Sequence, residues 1–412
     1  MKRSDFEIMA PVGSRESLAA ALKAGTDAVY FGIEGLNMRS RSSANFTADD
    51  MAEIVTLCNA GGVKSYLTVN TVIYDSDMNH LEAILSRAAQ AGVSAIIASD
   101  IAAIEAARNH GLEVHISTQC NISNYEAVKF YARYADVMVL ARELNLDQVK
   151  AIHERIVAEG LCGPKGVLIR LEMFCHGALC MAFSGKCYLS LHQMNSSANR
   201  GACNQICRRG YVATDRETGE SIEVENQYLM SPKDLKTIHF LNKMVDAGVS
   251  VFKIEGRARG PEYVAEVVAS YSEALQAICD GIFSEEKIEE WERRLSRVFN
   301  RGFWDGYYLG QRLGEWSSKY GSSATRKKVY VAKAIRYFSK LGVGEFRMES
   351  GELKPGDEVI LTGPTTGAEI FTIEQLRLEV DPVPSVRKGQ VFSTPVSCKV
   401  RPSDRLYLWQ KI

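Results

Sequence analysis

Two hydrophobic rhythms alternate along the first two-thirds of the chain. Short, mostly apolar runs bounded by glycine or acidic positions are separated by stretches whose apolar residues return at helical spacing, as in HLEAILSRAAQ at 80–90. The short runs are EIMAPV from Glu7, DAVYFG from Asp27, VKSYLTVN from Val63, SAIIAS from Ser94, EVHISTQ from Glu113, DVMVLAR from Asp136, GVLIRLEMF from Gly166 and SVFKIEGR from Ser250. The entry to several of them repeats almost as a phrase: AGTDAVYFG from Ala24, AGVSAIIAS from Ala91 and AGVSVFKIEGR from Ala247. Each has glycine at a helix end and then a strand, so the repeating unit is helix, turn, strand. Eight such units close most simply into a (β/α)8 TIM-type barrel, an α/β fold, with an open doubly wound sheet as the alternative.

The pattern also divides the chain. Residues 1–283 form the expected barrel, with an unusually long connection, at about 175–247, between the seventh and eighth strands. Residues 284–326 read as an amphipathic helix and an aromatic, glycine-rich linker. Over 327–412 helical periodicity is absent; runs such as KVYVAKAIR, DEVILTG and DRLYLW alternate between Gly and Pro turns, which predicts a small C-terminal β-barrel domain.

Alternation within the strands sorts their polar side chains. In VKSYLTVN, Leu67 and Val69 face one way and Tyr66, Thr68 and Asn70 the other; in EVHISTQ, His115, Ser117 and Gln119 oppose Val114 and Ile116. Lys253, Glu255 and Arg257 share a face opposite Phe252 and Ile254, as do Arg170 and Glu172 on the preceding strand. These polar sets are expected in the lumen. Those near the carboxyl ends of strands, where such barrels carry their chemistry, are Asn70, Gln119, Arg142, Glu172, Glu255 and Arg257. Lys253 and Arg170 lie deeper, where a structural ion-pair network is the competing reading.

Charge and composition narrow the class. Forty-nine basic and 50 acidic residues give a net charge of -1, so nucleic acid would have to meet a local patch such as Arg208 and Arg209, or Arg326, Lys327 and Lys328. The amino terminus lacks the apolar core of a signal peptide and no run is long enough to cross a membrane, which points to a cytoplasmic protein with reduced thiols.

In that setting the ten cysteines matter. Five of them, Cys175, Cys180, Cys187, Cys203 and Cys207, crowd the start of the long connection; Cys58, Cys120, Cys162, Cys279 and Cys398 are scattered on apolar stretches and read as small core residues. Cys180, Cys187, Cys203 and Cys207 follow the spacing C-x6-C-x15-C-x3-C, suited to tetrahedral zinc or to a 4Fe-4S cluster; paired C-x2-C knuckles are missing. A thiol peptidase built on Cys175 and His176 is disfavoured, because neighbours in an extended segment point to opposite faces.

The run EMFCHGALCMAFSGKCYLS, with Glu172, Phe174, Gly177, Ala178, Leu179, Cys180, Gly185, Cys187, Leu189 and Ser190, resembles the signature of peptidase family U32, the collagenase-like proteases. The likeness extends through ISTQ, KIEGR, NRGFWDGY and the C-terminal β-domain. Despite its name, the family resembles a set of iron-sulfur hydroxylation proteins more than a set of proteases. The resemblance implies a 4Fe-4S cluster on Cys180, Cys187, Cys203 and Cys207, with Cys175 outside it. The architecture looks like the tRNA branch, implying prephenate-dependent conversion of the wobble uridine of tRNA to 5-hydroxyuridine. Glu172, Glu255 and Arg257 are then the catalytic candidates. Asn70, Gln119 and Arg142 are the substrate-binding ones, with arginines clamping the carboxylates of prephenate and amides reading an extruded uracil. A collagenase-like peptidase, hydroxylation of a ribosomal RNA cytidine, and a non-catalytic RNA-binding protein are the alternatives; protein partners are not indicated.

Overall fold

The computed structural model describes residues 1–40, 45–224, 230–318 and 321–412. Strands β1 (Glu7–Pro11), β2 (Ala28–Phe31), β3 (Lys64–Val69), β4 (Ala95–Ala98), β5 (Val114–Ile116), β6 (Val137–Val139) and β7 (Arg170–Gly177) pair in parallel, each with the next. After a long excursion, β11 (Val249–Ile254) pairs with both β7 and β1 and closes the cylinder. The helices between them are α1 (Arg15–Lys23), α2 (Met51–Ala60), α3 (Met78–Ala91), α4 (Ile101–Asn109), α5 (Tyr125–Tyr131) and α6 (Leu146–Glu159). This is the expected TIM-type barrel. Local chemistry sets the helix ends: Asn145 and Gln148 form a reciprocal capping box at the start of α6, and Gly160 ends it at φ 60°.

The parity read from the strands holds. Leu67, Val69, Val114, Ile116, Phe252 and Ile254 pack outward under the helices, while Met9, Tyr30, Tyr66, Ile97, Val137 and Val251 fill the lumen. At the amino-terminal end Glu7, 3% exposed, accepts from Lys64 (2.8 Å), Arg170 (3.1 Å) and the Tyr66 hydroxyl (2.7 Å). Burial opposes the charge of Glu7, but Arg170 and Lys64 prevail and hold its carboxyl below the usual range. Arg170 is therefore part of a structural network.

The excursion after β7 carries α7 (Leu189–Met194), the hairpin β8 (Tyr211–Thr214) and β9 (Ser221–Val224), and β10 (Asp234–Lys236). β10 returns antiparallel to the end of β7, with Leu235 beside Gly177 and Lys236 beside His176. Helix α8 (Leu241–Asp246) then leads into β11, and α9 (Pro261–Cys279) and α10 (Glu285–Arg297) follow. The linker is no free tether: β12 (Phe303–Trp304) adds to the sheet beside β10, and the Tyr308 hydroxyl donates to the Phe174 carbonyl at 2.9 Å.

The C-terminal domain is all β, as expected, and its strands pair antiparallel. Its strands are β13 (Arg326–Phe338), β14 (Val343–Met348), β15 (Glu352–Leu353), β16 (Glu358–Gly363), β17 (Gly367–Thr372), β18 (Leu376–Leu378), β19 (Asp381–Val383), β20 (Val386–Arg387), β21 (Val391–Pro395) and β22 (Arg405–Lys411). The main ladder runs β17-β16-β22-β13-β14-β21-β18-β19, and β15 pairs with β20. Phe346 stacks on Phe392 in a core of its own. Ile360 and Trp409 instead join the barrel's core, Lys23 pairs with Glu369, and Lys328 with Glu262 at 2.9 Å. The basic patch expected at 326–328 is thus largely engaged: Arg326 meets Glu358 at 2.7 Å and only Lys327 of the three is exposed. No helix among the described residues is long and apolar enough to cross a membrane.

Candidate functional site

The carboxyl ends of the barrel strands and the excursion after β7 enclose a cavity of about 260 Å³. Tyr30, Ile97 and Lys253 lie at its floor, strand-end polar groups on its sides, and residues of the excursion across its top. Asn70, Gln119, Arg142, Glu255 and Arg257 all line it. Glu172 does not. It lies fully buried behind Lys253, whose ammonium it holds at 2.7 Å, and its second oxygen, Oε2, has no hydrogen-bond partner among the described residues. Glu172, expected near the carboxyl end of its strand, lies instead in the first half of β7, which runs from Arg170 to Gly177, and the Lys253 side chain stands between it and the cavity.

The amides form one chain of contacts. Asn70 accepts from the Met38 amide at 3.2 Å and donates toward Ser117 at 3.3 Å, while Ser117 donates to Gln119 Oε1 at 2.5 Å. The charges form another. Arg39 donates to Glu255 Oε1 at 3.0 Å, and the Tyr30 hydroxyl approaches Oε2 at 3.4 Å. Burial raises the cost of ionising Glu255, yet Arg39, Arg142 and Arg257 together hold its carboxyl below the usual range. Arg257, 6% exposed, donates to Thr68 at 2.9 Å and Asn37 at 3.2 Å; burial pulls its pKa down. Arg142 stacks 3.7 Å over the Phe174 ring and donates to the Ala178 carbonyl at 3.0 Å. The Nε groups of both arginines are buried without a partner among the described residues. Such donors favour an anion in the cavity.

Sequence reasoning missed Arg39, Arg259 and Arg301, which also line the cavity. Arg39 follows β2 in an irregular loop with no periodic signal; its one clue is the position just beyond a strand's carboxyl end. Arg259 and Arg301 flank the Phe299 ring and share the buried Asp234 at 3.5 and 3.4 Å. Arg208, expected in an exposed basic patch, is instead an internal brace that donates to Leu179, Pro232 and Ser231.

Cys180, Cys187, Cys203 and Cys207 border the same cavity. Among the described residues no three Cys, His, Asp or Glu side chains meet closely enough to hold a metal ion as they stand. Zinc, with bonds of about 2.3 Å, would need the thiolates within about 4 Å of one another. A four-iron cluster gives each thiolate its own iron and spreads the sulfurs around a bulkier body. Four thiols on the wall of one chamber supply the number and softness of donors that such a cluster takes. Two glycines keep the wall close: a Cβ on Gly201 (φ +82°) would sit 2.2 Å from the Asn37 carbonyl, and one on Gly177 (φ +104°) 2.2 Å from that of Glu255.

The other thiols are elsewhere. Cys175 is fully buried, donates toward the Lys253 carbonyl at 3.4 Å, and is pushed well up in pKa by burial. His176 turns instead to the Tyr271 hydroxyl at 3.3 Å, and burial lowers its pKa to about 3. Neither has the features of an activated pair. Cys58 is buried in the core as expected, but Cys162 is exposed: it belongs to a β-bridge with Leu168 at the surface end of the α6–β7 connection. Beyond residues 179–184 lies a second cavity of about 310 Å³, reached by Asn121, Glu143 and Tyr307, which shares Arg142 and Cys180 with the first.

The sequence model of peptidase family U32 matches residues 13–318. A Porphyromonas gingivalis protein named collagenase is 64% identical over 411 residues, covering 100% of this chain and 99% of that one. The tRNA hydroxylation protein P1 of Bacillus subtilis is 33% identical over 90% of this chain and 86% of its own length. The 23S rRNA 5-hydroxycytidine C2501 synthase of Escherichia coli is 35% identical over 75% of this chain and 46% of its own length. With the family model spanning residues 13–318 and these relatives spanning most of the chain, the protein belongs to peptidase family U32.

Proposed function

We propose that this chain is an iron-sulfur-dependent and prephenate-dependent enzyme that hydroxylates the wobble uridine of tRNA to 5-hydroxyuridine. The observation that carries this reading is the meeting of four thiols, a set of guanidiniums and an ionised carboxylate around one chamber. Cys180, Cys187, Cys203 and Cys207 would hold a 4Fe-4S cluster, which when bound supplies one-electron chemistry. Arg142 and Arg257, each with an unpartnered Nε, bind the carboxylates of the small substrate. Glu255, kept ionised by Arg39, accepts a proton, and Asn70 and Gln119 offer amide edges to an extruded base. The enclosing excursion excludes bulk water.

Relatives named for RNA hydroxylation support the substrate class. The name of the 64%-identical relative favours a second reading, a peptidase. Mass spectrometry of tRNA nucleosides decides. Deletion of this chain in a strain without a paralogue abolishes wobble 5-hydroxyuridine under the first reading; unchanged levels sink it. Gelatin cleavage by the purified protein that disappears on substituting one nucleophile, with iron content intact, would establish the second.

A further inference from the structure

Lys253 is the one lysine on the wall of the barrel cavity among the described residues, and the roles above leave it unused. We propose that Lys253 condenses with the carbonyl carbon of a 2-oxo acid bound in the cavity, with Glu172 relaying the proton; this rests on the reading that the small substrate is an oxo acid such as prephenate. The geometry supplies each part. The Lys253 ammonium, 2.7 Å from Glu172 Oε1, lies 4.8 Å from the centroid of the Tyr30 ring and 5.7 Å from that of Phe174. Lys253 is 5% exposed and Glu172 fully buried, so the pair meets away from bulk water, with Oε1 in hydrogen-bond reach of the ammonium it would take a proton from. Oε2 of Glu172, buried without a partner, leaves that carboxylate with unused accepting capacity.

The other luminal pair differs in the feature that matters. Arg170 and Glu7 also pair across the lumen, but neither reaches the cavity, and a guanidinium does not give up its proton. Lys253 faces a chamber that contains arginines suited to the carboxylate of an oxo acid, which places the adjacent carbonyl toward the amine.

The step balances without an oxidant. One ammonium proton passes to Glu172, and the freed nitrogen lone pair adds to the carbonyl carbon. The carbonyl oxygen takes one proton from nitrogen; Glu172, which Lys253 separates from the cavity, returns its proton to that nitrogen, which passes it on to the oxygen, and the oxygen leaves as water. A C=N bond replaces C=O, and the protonated imine keeps its positive charge beside the restored Glu172 carboxylate.

Trapping tests this. Anaerobically purified, iron-loaded protein is incubated with pyruvate, and in parallel with prephenate, under sodium cyanoborohydride, then peptide-mapped by mass spectrometry. The expected result is a reduced adduct on the Lys253 peptide, absent in Lys253→Arg and formed on the order of a hundred-fold more slowly in Glu172→Gln. Circular dichroism confirms that both variants are folded, and the wild-type map alone suffices if one is not. No adduct on Lys253 with either acid, or labelling no greater there than on surface lysines, overturns the proposal; an unaltered rate in Glu172→Gln overturns the relay. Absence of an adduct alongside intact wobble-uridine hydroxylation removes this inference and spares the functional reading. An adduct in a protein whose deletion leaves tRNA unchanged does the reverse.

Discussion

Arg39, on the loop after β2, reaches across the mouth of the barrel to Glu255 at the end of β11, with Nη2 and Oε1 3.0 Å apart and both side chains largely buried. A buried pair of this kind contributes little net stability when intact, but removing one partner strands the other's charge. Arg39→Met is therefore expected to lower stability at neutral pH by about 2 kcal/mol, at or below the low end of the usual range because Arg142 and Arg257 also face Glu255. The sign with pH is fixed. The Glu255 carboxyl is held below its usual value of 4.5, so the stabilisation is present above that value and disappears as pH falls through the lowered one. Urea denaturation at pH 7 and pH 4 checks both; an equal deficit at the two would contradict the assignment.

The thiols make a sharper test. Cys180→Ser, Cys187→Ser, Cys203→Ser and Cys207→Ser are each expected to reduce iron and acid-labile sulfide after anaerobic purification. Cys175→Ser and Cys162→Ser are not, the first because its thiol is turned into the barrel wall and the second because it is remote on the surface. Zinc in place of iron in the wild-type protein would overturn the cofactor.

His176 offers a pH signature separate from the chemistry. Its pKa falls from 6.5 to about 3 by burial, so the folded state keeps it neutral while the unfolded chain takes up a proton below 6.5. Stability then declines as pH falls below 6.5, by about 1.4 kcal/mol per unit from this group alone. His176→Phe, among Tyr263, Tyr271 and Phe303, should flatten the acid limb by about that slope. An equal loss of stability from pH 6.5 to pH 5 in the wild type and the variant, measured by denaturant unfolding, would show the histidine to be charged or exposed.

Gly201 tests the coupling between the excursion and the loop that carries Arg39. A methyl there meets the Asn37 carbonyl at 2.2 Å and Ser40 Oγ at 2.3 Å, on a backbone at φ +82° that L side chains resist. Gly201→Ala is expected to cost about 1–3 kcal/mol and to lower iron loading, since the segment leading to Cys203 must shift. Full loading in that variant would separate the loop from the thiol site.

The barrel was legible because its evidence is local. Glycine at most helix ends marked the repeating units, and alternation along the strands assigned Tyr66, His115, Glu172 and Lys253 to the lumen before any tertiary information. What escaped depends on distant partners. Arg39 and Arg301 reach the cavity from a loop and a linker that carry no periodic signal, and β10 and β12 are too short to announce themselves. Glu172 shows the limit differently: its face was right, but only the length of the Lys253 side chain decides which of the two reaches the chamber. Cys162 reads as core from composition because Leu161, Val167 and Leu168 surround it, yet Val167 and Leu168 are themselves exposed.

The chain leaves the barrel at Gly177 and returns next to it at Leu235, where β7 and β10 are zipped together. Everything carrying the four sulfurs thus hangs from a hinge whose two leaves are already fastened, so the ends need not find each other when the segment becomes ordered. With the cluster proposed above in place, assembly would proceed in two acts, first the fold and then its inorganic plug, and losing the plug would slacken the cover while the walls remain standing.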